Sequence, residues 1–458
     1  MISFKLSSQC VTNISTGEKH TILLKSDKTV HTWGHGYNQW GQLGLGTNIN
    51  VLTPTLVGNS NDWKSVFAGS LNTFVIKNNG TLWGTGCNSK GQLGIGTFSP
   101  TIGINGFIQV GNANNWKYIS ADREHTLGVK TDGTLWSWGS NYQGKLGDGT
   151  LTDRLSPTQI GSDNNWSKVA IGLHQSFGLK NNGTIWGWGL HSSGALGLAP
   201  LSSGVYNSPT QIGIGSDWSD ISSSCSSIHT LALKNNGTLY VFGSSWASGS
   251  GALGLGDSIN QVSYPTQIGN DSDWIYINSA FNTSFAIKTN GTLWGWGQND
   301  YGQLGDGTTV DKNVPTQIGT DSDWVAVSAG RLHTIALKNN GALYSWGNNA
   351  NGELGNNGIN SNSNTPENII PSCVLSNQSF INNDIILYPN PANDFIYVDI
   401  NSLTNFDSIE VYDIVGRKIS ELNIYFNSLN ISHLPKGIYN ILFRKNNKII
   451  SKSKLIKE

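Results

Sequence analysis

Hydrophobic and polar positions alternate in short runs along most of the chain, and each run ends at a turn rich in Gly and Asn. Alternation with a period of two marks half-buried strands, whereas helices repeat their apolar positions every three to four residues. Residues 324–366 show the pattern well. Trp324-Val-Ala-Val-Ser-Ala alternates, Gly330-Arg-Leu-His333 turns, and Thr334-Ile-Ala-Leu-Lys338 alternates again. Asn340-Gly341 is a two-residue hairpin signal that needs positive φ. Ala342-Leu-Tyr-Ser-Trp346 predicts a third strand, the Gly352-Glu-Leu-Gly355 loop follows, and a segment led by Pro366 completes the unit.

The unit recurs. Aligned on the Gly that closes the third strand, its copies fall at Gly36, Gly86, Gly139, Gly189, Gly243, Gly297 and Gly347, which makes seven units of about 52 residues. The hairpin signal returns at Asn79-Gly80, Asp132-Gly133, Asn182-Gly183, Asn236-Gly237 and Asn290-Gly291. Unit one has Asp27-Lys28 instead, so a looser turn is expected there. A single small sheet cannot bury both faces, but seven stacked radially can. An open solenoid would need distinct capping repeats. The pattern therefore predicts an all-β chain built on a seven-bladed β-propeller.

The ends of the repeat region support a closed ring. Units two to seven open on Trp63, Trp116, Trp166, Trp218, Trp274 and Trp324, whereas unit one has Cys10-Val11 at that place. After unit seven, where another Trp is due, the chain has Pro371-Ser-Cys373. Cys10 and Cys373 thus share a repeat phase at opposite ends of the ring. A disulfide between them is expected, with two free buried thiols as the alternative.

Composition narrows the function. Charged residues make up 12% of the chain and the net charge is −1. No long-range field is available to gather nucleic acid or an anionic membrane. No run reaches the roughly 20 apolar residues of a spanning helix. Residues 1–9 read as the remnant of a signal peptide or leader without its apolar centre.

Ser328 to Lys338, with its S-A-G-x-x-H-T-x-A-L-K pattern, followed by N-N-G-x-L-x-x-W-G and G-x-L-G to Gly355, resembles the regulator of chromosome condensation (RCC1) repeat family. The resemblance covers residues 10–373 and implies a seven-bladed propeller. It does not imply one activity, since the family includes an exchange factor for a small GTPase, an ultraviolet photoreceptor and secreted bacterial inhibitors. Exchange on chromatin is disfavoured because the chain lacks a basic tail. The photoreceptor's tryptophan cluster uses G-W-R-H-T turns, while these turns read Gly17-Glu-Lys-His20, Asp122-Arg-Glu-His125 and Gly330-Arg-Leu-His333.

The turn slot holds His20, Asn72, His125, Gln175, His229, Thr283 and His333. A slot that accepts all four residue types is expected to supply a hydrogen bond to neighbouring backbone, not a metal ligand. Asp148 and Asp306, in L-G-D-G-T, read as turn caps. No catalytic residue, metal site or cofactor is expected, and an enzyme is not. Because strand direction alternates, the turn after the first strand and the long loop after the third share one face of the disc. Trp40, Tyr142, Trp246 and Tyr301 are the candidate anchors on that face, with Arg123, Glu124 and Arg331 as polar contacts.

After a polar linker, residues 374–383, Trp disappears and short alternating strands predict a small Ig-like β-sandwich over residues 384–458. Leu387-Tyr-Pro-Asn-Pro391, Val411-Tyr-Asp-Ile-Val-Gly-Arg417, Leu434-Pro-Lys-Gly-Ile-Tyr439 and the closing Lys454-Leu-Ile-Lys-Glu458 resemble the C-terminal sorting domain of the Bacteroidetes type IX secretion system. That resemblance implies export to the cell surface or medium, with the secretion machinery as a partner through residues 384–458. The expected whole is a monomeric exported binding protein without a membrane span. Its loop-rich face would engage or inhibit an unknown protein. Glycan binding in adhesion is the alternative, and nucleotide exchange or enzymatic activity ranks below both.

Overall fold

A computed structural model describes residues 10–34, 40–198, 203–224, 227–245, 250–257, 259–373, 387–388, 390–398, 407–413, 417–422, 424–425, 428–445 and 448–458. The chain divides into two compact units, Met1–Cys373 and Val374–Glu458.

The first unit holds seven four-stranded antiparallel meanders. Blade 1 is built from Val11–Thr16, His20–Lys25, Val30–Gly34 and Val51–Leu56, and blade 7 from Trp324–Ala329, His333–Lys338, Leu343–Gly347 and Ser363–Ile370. Blades 2 to 6 open on Trp63, Trp116, Trp166, Trp218 and Trp274. First strands lie side by side around the ring, those of blades 7 and 1 included, so the propeller is closed. The fourth strands are outermost. Pro54, Pro157, Pro209, Pro265, Pro315 and Pro366 sit there, where a missing N–H costs no ladder bond.

The Gly closing each third strand pairs with the turn-slot residue, and in unit one that Gly is Gly34, opposite His20. The alignment on Gly36 is therefore corrected by two residues. Gly34 and Gly347 have φ of 111° and 99°, and a Cβ on Gly34 would come within 2.5 Å of the Lys19 carbonyl oxygen. The looser turn expected in unit one is also not found. Lys28 takes φ 65° and donates to the Lys25 carbonyl at 2.9 Å, as Gly80 does to Lys77 at 2.9 Å. Asp27 caps Thr29 as Asn79 caps Thr81. A lysine has been forced into the glycine conformation.

One set of contacts organises each blade, and another holds neighbouring blades together. On the hairpin face, the lysine ending the second strand lies over the Trp that opens its blade and over an aromatic of the third strand. Lys180 sits 4.6 Å from Trp166 and 3.9 Å from Trp186, and pairs with Asp163 at 2.6 Å. Blades 2, 5, 6 and 7 repeat the clamp with Lys77, Lys234, Lys288 and Lys338. Within the core, the inner Trp of the third strand is fully buried at Trp33, Trp138, Trp188, Trp296 and Trp346. Its indole N–H donates to a loop carbonyl of the preceding blade, as Trp188 does to Lys145 at 3.0 Å. The tryptophan pairs are packing, as their alternation implies.

The seam between blades 7 and 1 repeats contacts found at other junctions. Thr16 N donates to Ser328 Oγ at 3.0 Å, Arg331 pairs with Glu18 at 3.0 Å, and Trp33 Nε1 donates to the Glu353 carbonyl at 3.0 Å. Cys10 and Cys373 are joined by a disulfide with Cα atoms 5.0 Å apart. In five other blades, the linker to the next blade rides over the hairpin Gly. A Cβ on Gly80, Gly133, Gly183, Gly237 or Gly291 would meet a linker carbonyl oxygen within 2.0–2.3 Å. On the seventh hairpin the same place is taken by sulfur, with Cys373 Sγ 2.4 Å from a Cβ built on Gly341. The disulfide therefore stands in for the one linker the chain cannot supply.

The second unit is a small β-sandwich. Leu387–Tyr388, Phe395–Val398, Ser428–Asn430 and Ile424–Tyr425 form one sheet. Lys418–Leu422, Ser408–Asp413, Gly437–Lys445 and Lys448–Lys457 form the other. Leu387, Ile396, Val411, Leu429, Ile441, Phe443 and Leu455 pack between them.

Candidate binding face

The turn after each first strand and the loop after each third strand lie on one face, as the pairing of His20 with Gly34 and of His333 with Gly347 requires. The turn-slot histidines fasten this face from beneath. His20 Nε2 reaches Thr73 Oγ1 of the next blade at 2.8 Å, and Thr73 in turn donates to the Gln42 carbonyl at 2.8 Å. The hydroxyl has one hydrogen and has spent it, so His20 must donate from Nε2. His125 to Ser176 and His229 to Ser284 repeat the relay at 3.0 Å and 2.9 Å. The expected acceptor, neighbouring backbone, is not the first partner of His20 or His125, although His229 also reaches the backbone of Thr283. They bond to a hydroxyl across the blade junction, and that hydroxyl bonds to the backbone. Asn72 does bond directly to backbone, the Asp122 carbonyl, at 2.8 Å. Burial lowers His20 to about 3 and His229 and His333 to about 4, so all three are neutral. The Gly three residues before the second strand makes room, since a Cβ on Gly17 would fall 2.1 Å from the His20 ring.

Three of the named face residues meet on blade 3. Arg123 is exposed, Tyr142 is 59% exposed with its ring edge on His174 at 5.7 Å, and Glu124 binds the buried Lys145 at 2.9 Å. Burial pushes Glu124 up, but the charge and hydrogen bond of Lys145 outweigh it and hold the carboxyl below its ordinary value, so it stays ionised. Asp122, in the slot that is Gly in blades 1, 2, 4 and 7, is driven up to about 7 by burial, against the pull of Lys145. Lys145 and His174 were not singled out in sequence, because one occupies a loop position filled by Gln, Ala or Glu elsewhere and the other an ordinary turn position. Arg331 lies at the centre of the ring, paired with Glu18 and stacked 4.9 Å over Phe281. Tyr301 stands apart on blade 6, partly exposed, and Trp40 is half-buried on blade 1. Trp246 lies outside the described residues.

Asp148 and Asp306 cap their turns. Asp148 accepts from Thr150 N at 2.9 Å and pairs with Arg154 at 2.6 Å, and Asp306 accepts from Thr308 N at 3.0 Å and pairs with Lys312 at 2.9 Å. Among the described residues, no three His, Cys, Asp or Glu side chains cluster as metal ligands would.

The sequence reading passed over one feature of the face. Among the described residues, five or six positions beyond the Leu of six of the loops stands an apolar side chain that the fold leaves in water. Ile49, Phe98, Leu151, Ile259, Val310 and Ile359 are 40–67% exposed. The spacing L-G-x-x-x-(x)-apolar was the available signal.

Comparison with known proteins agrees with this architecture. Two models of the regulator of chromosome condensation (RCC1) repeat match the chain, one at residues 27–76, 132–179, 290–337 and 340–384, the other at 11–39, 63–92, 116–145 and 324–353. The secretion system C-terminal sorting domain matches residues 386–458. The ultraviolet-B receptor UVR8 of Arabidopsis thaliana is 30% identical over 315 residues, covering 67% of this chain and 70% of that protein. The human X-linked retinitis pigmentosa GTPase regulator is 31% identical over 299 residues, but the match spans only 29% of its length. Human WBSCR16 superposes with a TM-score of 0.64 at 22% identity, covering 72% of this chain and 87% of that one. Yeast RCC1 (Prp20), solved with Kap60, superposes with a TM-score of 0.66 at 18% identity, covering 81% and 91%. These two structures share the fold. The chain belongs to the RCC1 repeat family, and its tail is a type IX sorting domain that marks it for export to the cell surface or medium.

Proposed function

We propose that the propeller is a non-enzymatic binding module, exported by its tail, that holds a protein partner on its loop-rich face. The observation carrying this reading is the recurrence of Ile49, Phe98, Leu151, Ile259, Val310 and Ile359 in equivalent loops. A scattered surface Leu needs no explanation, but repeated apolar exposure on one face favours protein contact. Two internal ion pairs of that face, Glu124 with Lys145 and Glu18 with Arg331, suit positioning more than chemistry. Light sensing is not proposed, since none of the turn positions that follow a first strand carries Trp. Glycan adhesion is the second reading and rests on the exposed rings of Tyr142 and Tyr301.

The test is affinity capture from the producing organism's medium and surface fraction with the purified chain, followed by binding measurements on loop variants. Ile49→Ser, Leu151→Ser and Val310→Ser combined should weaken a captured protein at least tenfold. Equal binding by that variant would remove the apolar loops from the account. Loss on Tyr142→Ala with Tyr301→Ala alone, for a glycan ligand, would favour the second reading.

A further inference from the structure

The seven first strands surround a cavity of about 180 Å³ on the propeller axis, bounded by the turns of the loop-rich face. Water requires about 10–15 Å³ of such space, so the cavity offers about 12–18 water-sized positions, room for one small polar ligand. Its floor is set by the third residue of each first strand: Tyr118, Lys168 and Tyr276 belong to blades 3, 4 and 6, and Lys168 is bonded to Asp220 of blade 5. Tyr276 is anchored by donating to the Val327 carbonyl at 3.1 Å. Its walls come from the fifth residue, where Ser15, Ser222 and Asn278 each accept a backbone N–H of the next blade at 2.9–3.0 Å. With an acceptor side committed to backbone, Ser15 and Asn278 keep an O–H or N–H to donate, while the Ser222 hydroxyl also faces Ser279 Oγ at 3.5 Å. Phe67 and Phe281 add aromatic surface.

We propose that this cup binds a single neutral pyranose, independently of what the outer loops hold. Sugar hydroxyls both donate and accept, and the cup supplies wall donors with an ammonium–carboxylate pair and two phenols at its floor. Aromatic flanks suit the apolar C–H face of such a ring. The charges decide against an ionic ligand. Lys168 is balanced by Asp220 and Arg331 by Glu18, so an anion or cation would have to break a pair to be held.

The experiment is saturation-transfer NMR and calorimetric titration of the full chain with neutral hexoses, N-acetylhexosamines and their methyl glycosides, with glucuronate and glucosamine as charged controls. Saturable binding of at least one neutral sugar, at least tenfold tighter than the charged controls, is expected. Binding of the methyl glycoside as well indicates the terminal residue of a glycan, and binding of the free sugar alone a monosaccharide; both support the cup. Ser120→Phe should abolish binding, because it copies Phe67, which the same position carries one blade earlier, and fills the cavity. Lys168→Met combined with Asp220→Leu gives a second variant that removes the floor pair without leaving a lone charge. Tyr264→Ala, on the exposed outermost strand of blade 5, should leave affinity unchanged. Absence of saturable binding across the panel, equal binding of the charged sugars, or binding that survives both cup variants would overturn the proposal.

Discussion

Removing the Cys10–Cys373 disulfide perturbs the ring at its one chain break. The bond spans 363 residues. Loop-closure entropy for a link of that length is about 6 kcal/mol at 25 °C, an upper bound because native disulfides typically give back 2–5 kcal/mol when lost. The seam is also held by Thr16–Ser328, Glu18–Arg331 and Trp33–Glu353, so the reduced ring should remain folded and closed. A loss of about 4 kcal/mol is the working figure. Unfolding entropy of about 2.1 cal/mol/K per residue, over the 373 residues of the propeller unit, gives about 0.8 kcal/mol/K. Cys10→Ser with Cys373→Ser should therefore lower Tm by about 5 °C and leave the circular dichroism spectrum at 25 °C unchanged. Calorimetry of the oxidised, reduced and doubly substituted chains makes the measurement. Equal Tm in all three would refute the idea that the bond replaces a missing linker, and loss of folded signal at 25 °C would show that the other seam contacts do not hold.

Lys28→Gly should raise stability by about 0.5–1 kcal/mol, since it relieves a left-handed lysine at some entropic cost in the unfolded chain; denaturant unfolding reads the sign. Acid should destabilise the propeller through its turn histidines. Their folded values lie at about 3 to 4, below the ordinary 6.5, so stability is complete above pH 6.5 and is lost as pH falls toward 4. Each costs about 2 kcal/mol by pH 5, and His229→Gln should flatten the pH dependence of Tm between pH 6.5 and 5. Asp122 has the opposite sign, because its folded value is raised to about 7 and its contribution falls as pH rises from 4 to 7. Asp122→Asn should raise Tm at pH 8 and have little effect at pH 4.

The fold was legible because its signals are local and repeated: Asn340-Gly341 fixes a turn, and a Trp like Trp324 opens the first strand of units two to seven. Even the disulfide could be read, since repeat phase turns distance along the chain into distance around a ring. Errors arose where one copy departs from the rest. Gly36 was chosen over Gly34 because both fit a loose motif, and only pairing with His20 separates them. Asp27-Lys28 predicts a different turn, yet packing imposes the common one. The binding face was legible as topology but not as chemistry. Glu124 and Arg331 read as free polar groups because their partners, Lys145 and Glu18, lie on other loops or another blade. The axial cup was missed because its lining residues sit about 50 apart, one per blade, and no window along the chain brings them together.

The most direct test of the central claim is hydrogen exchange of the full chain with and without its captured protein partner. Protection should concentrate in the turns after the first strands and in the loops around Ile49, Leu151, Val310 and Ile359. Protection of the Asn-Gly hairpins on the opposite face, at residues 79–80, 182–183, 236–237 and 290–291, with the loops unchanged, would contradict it.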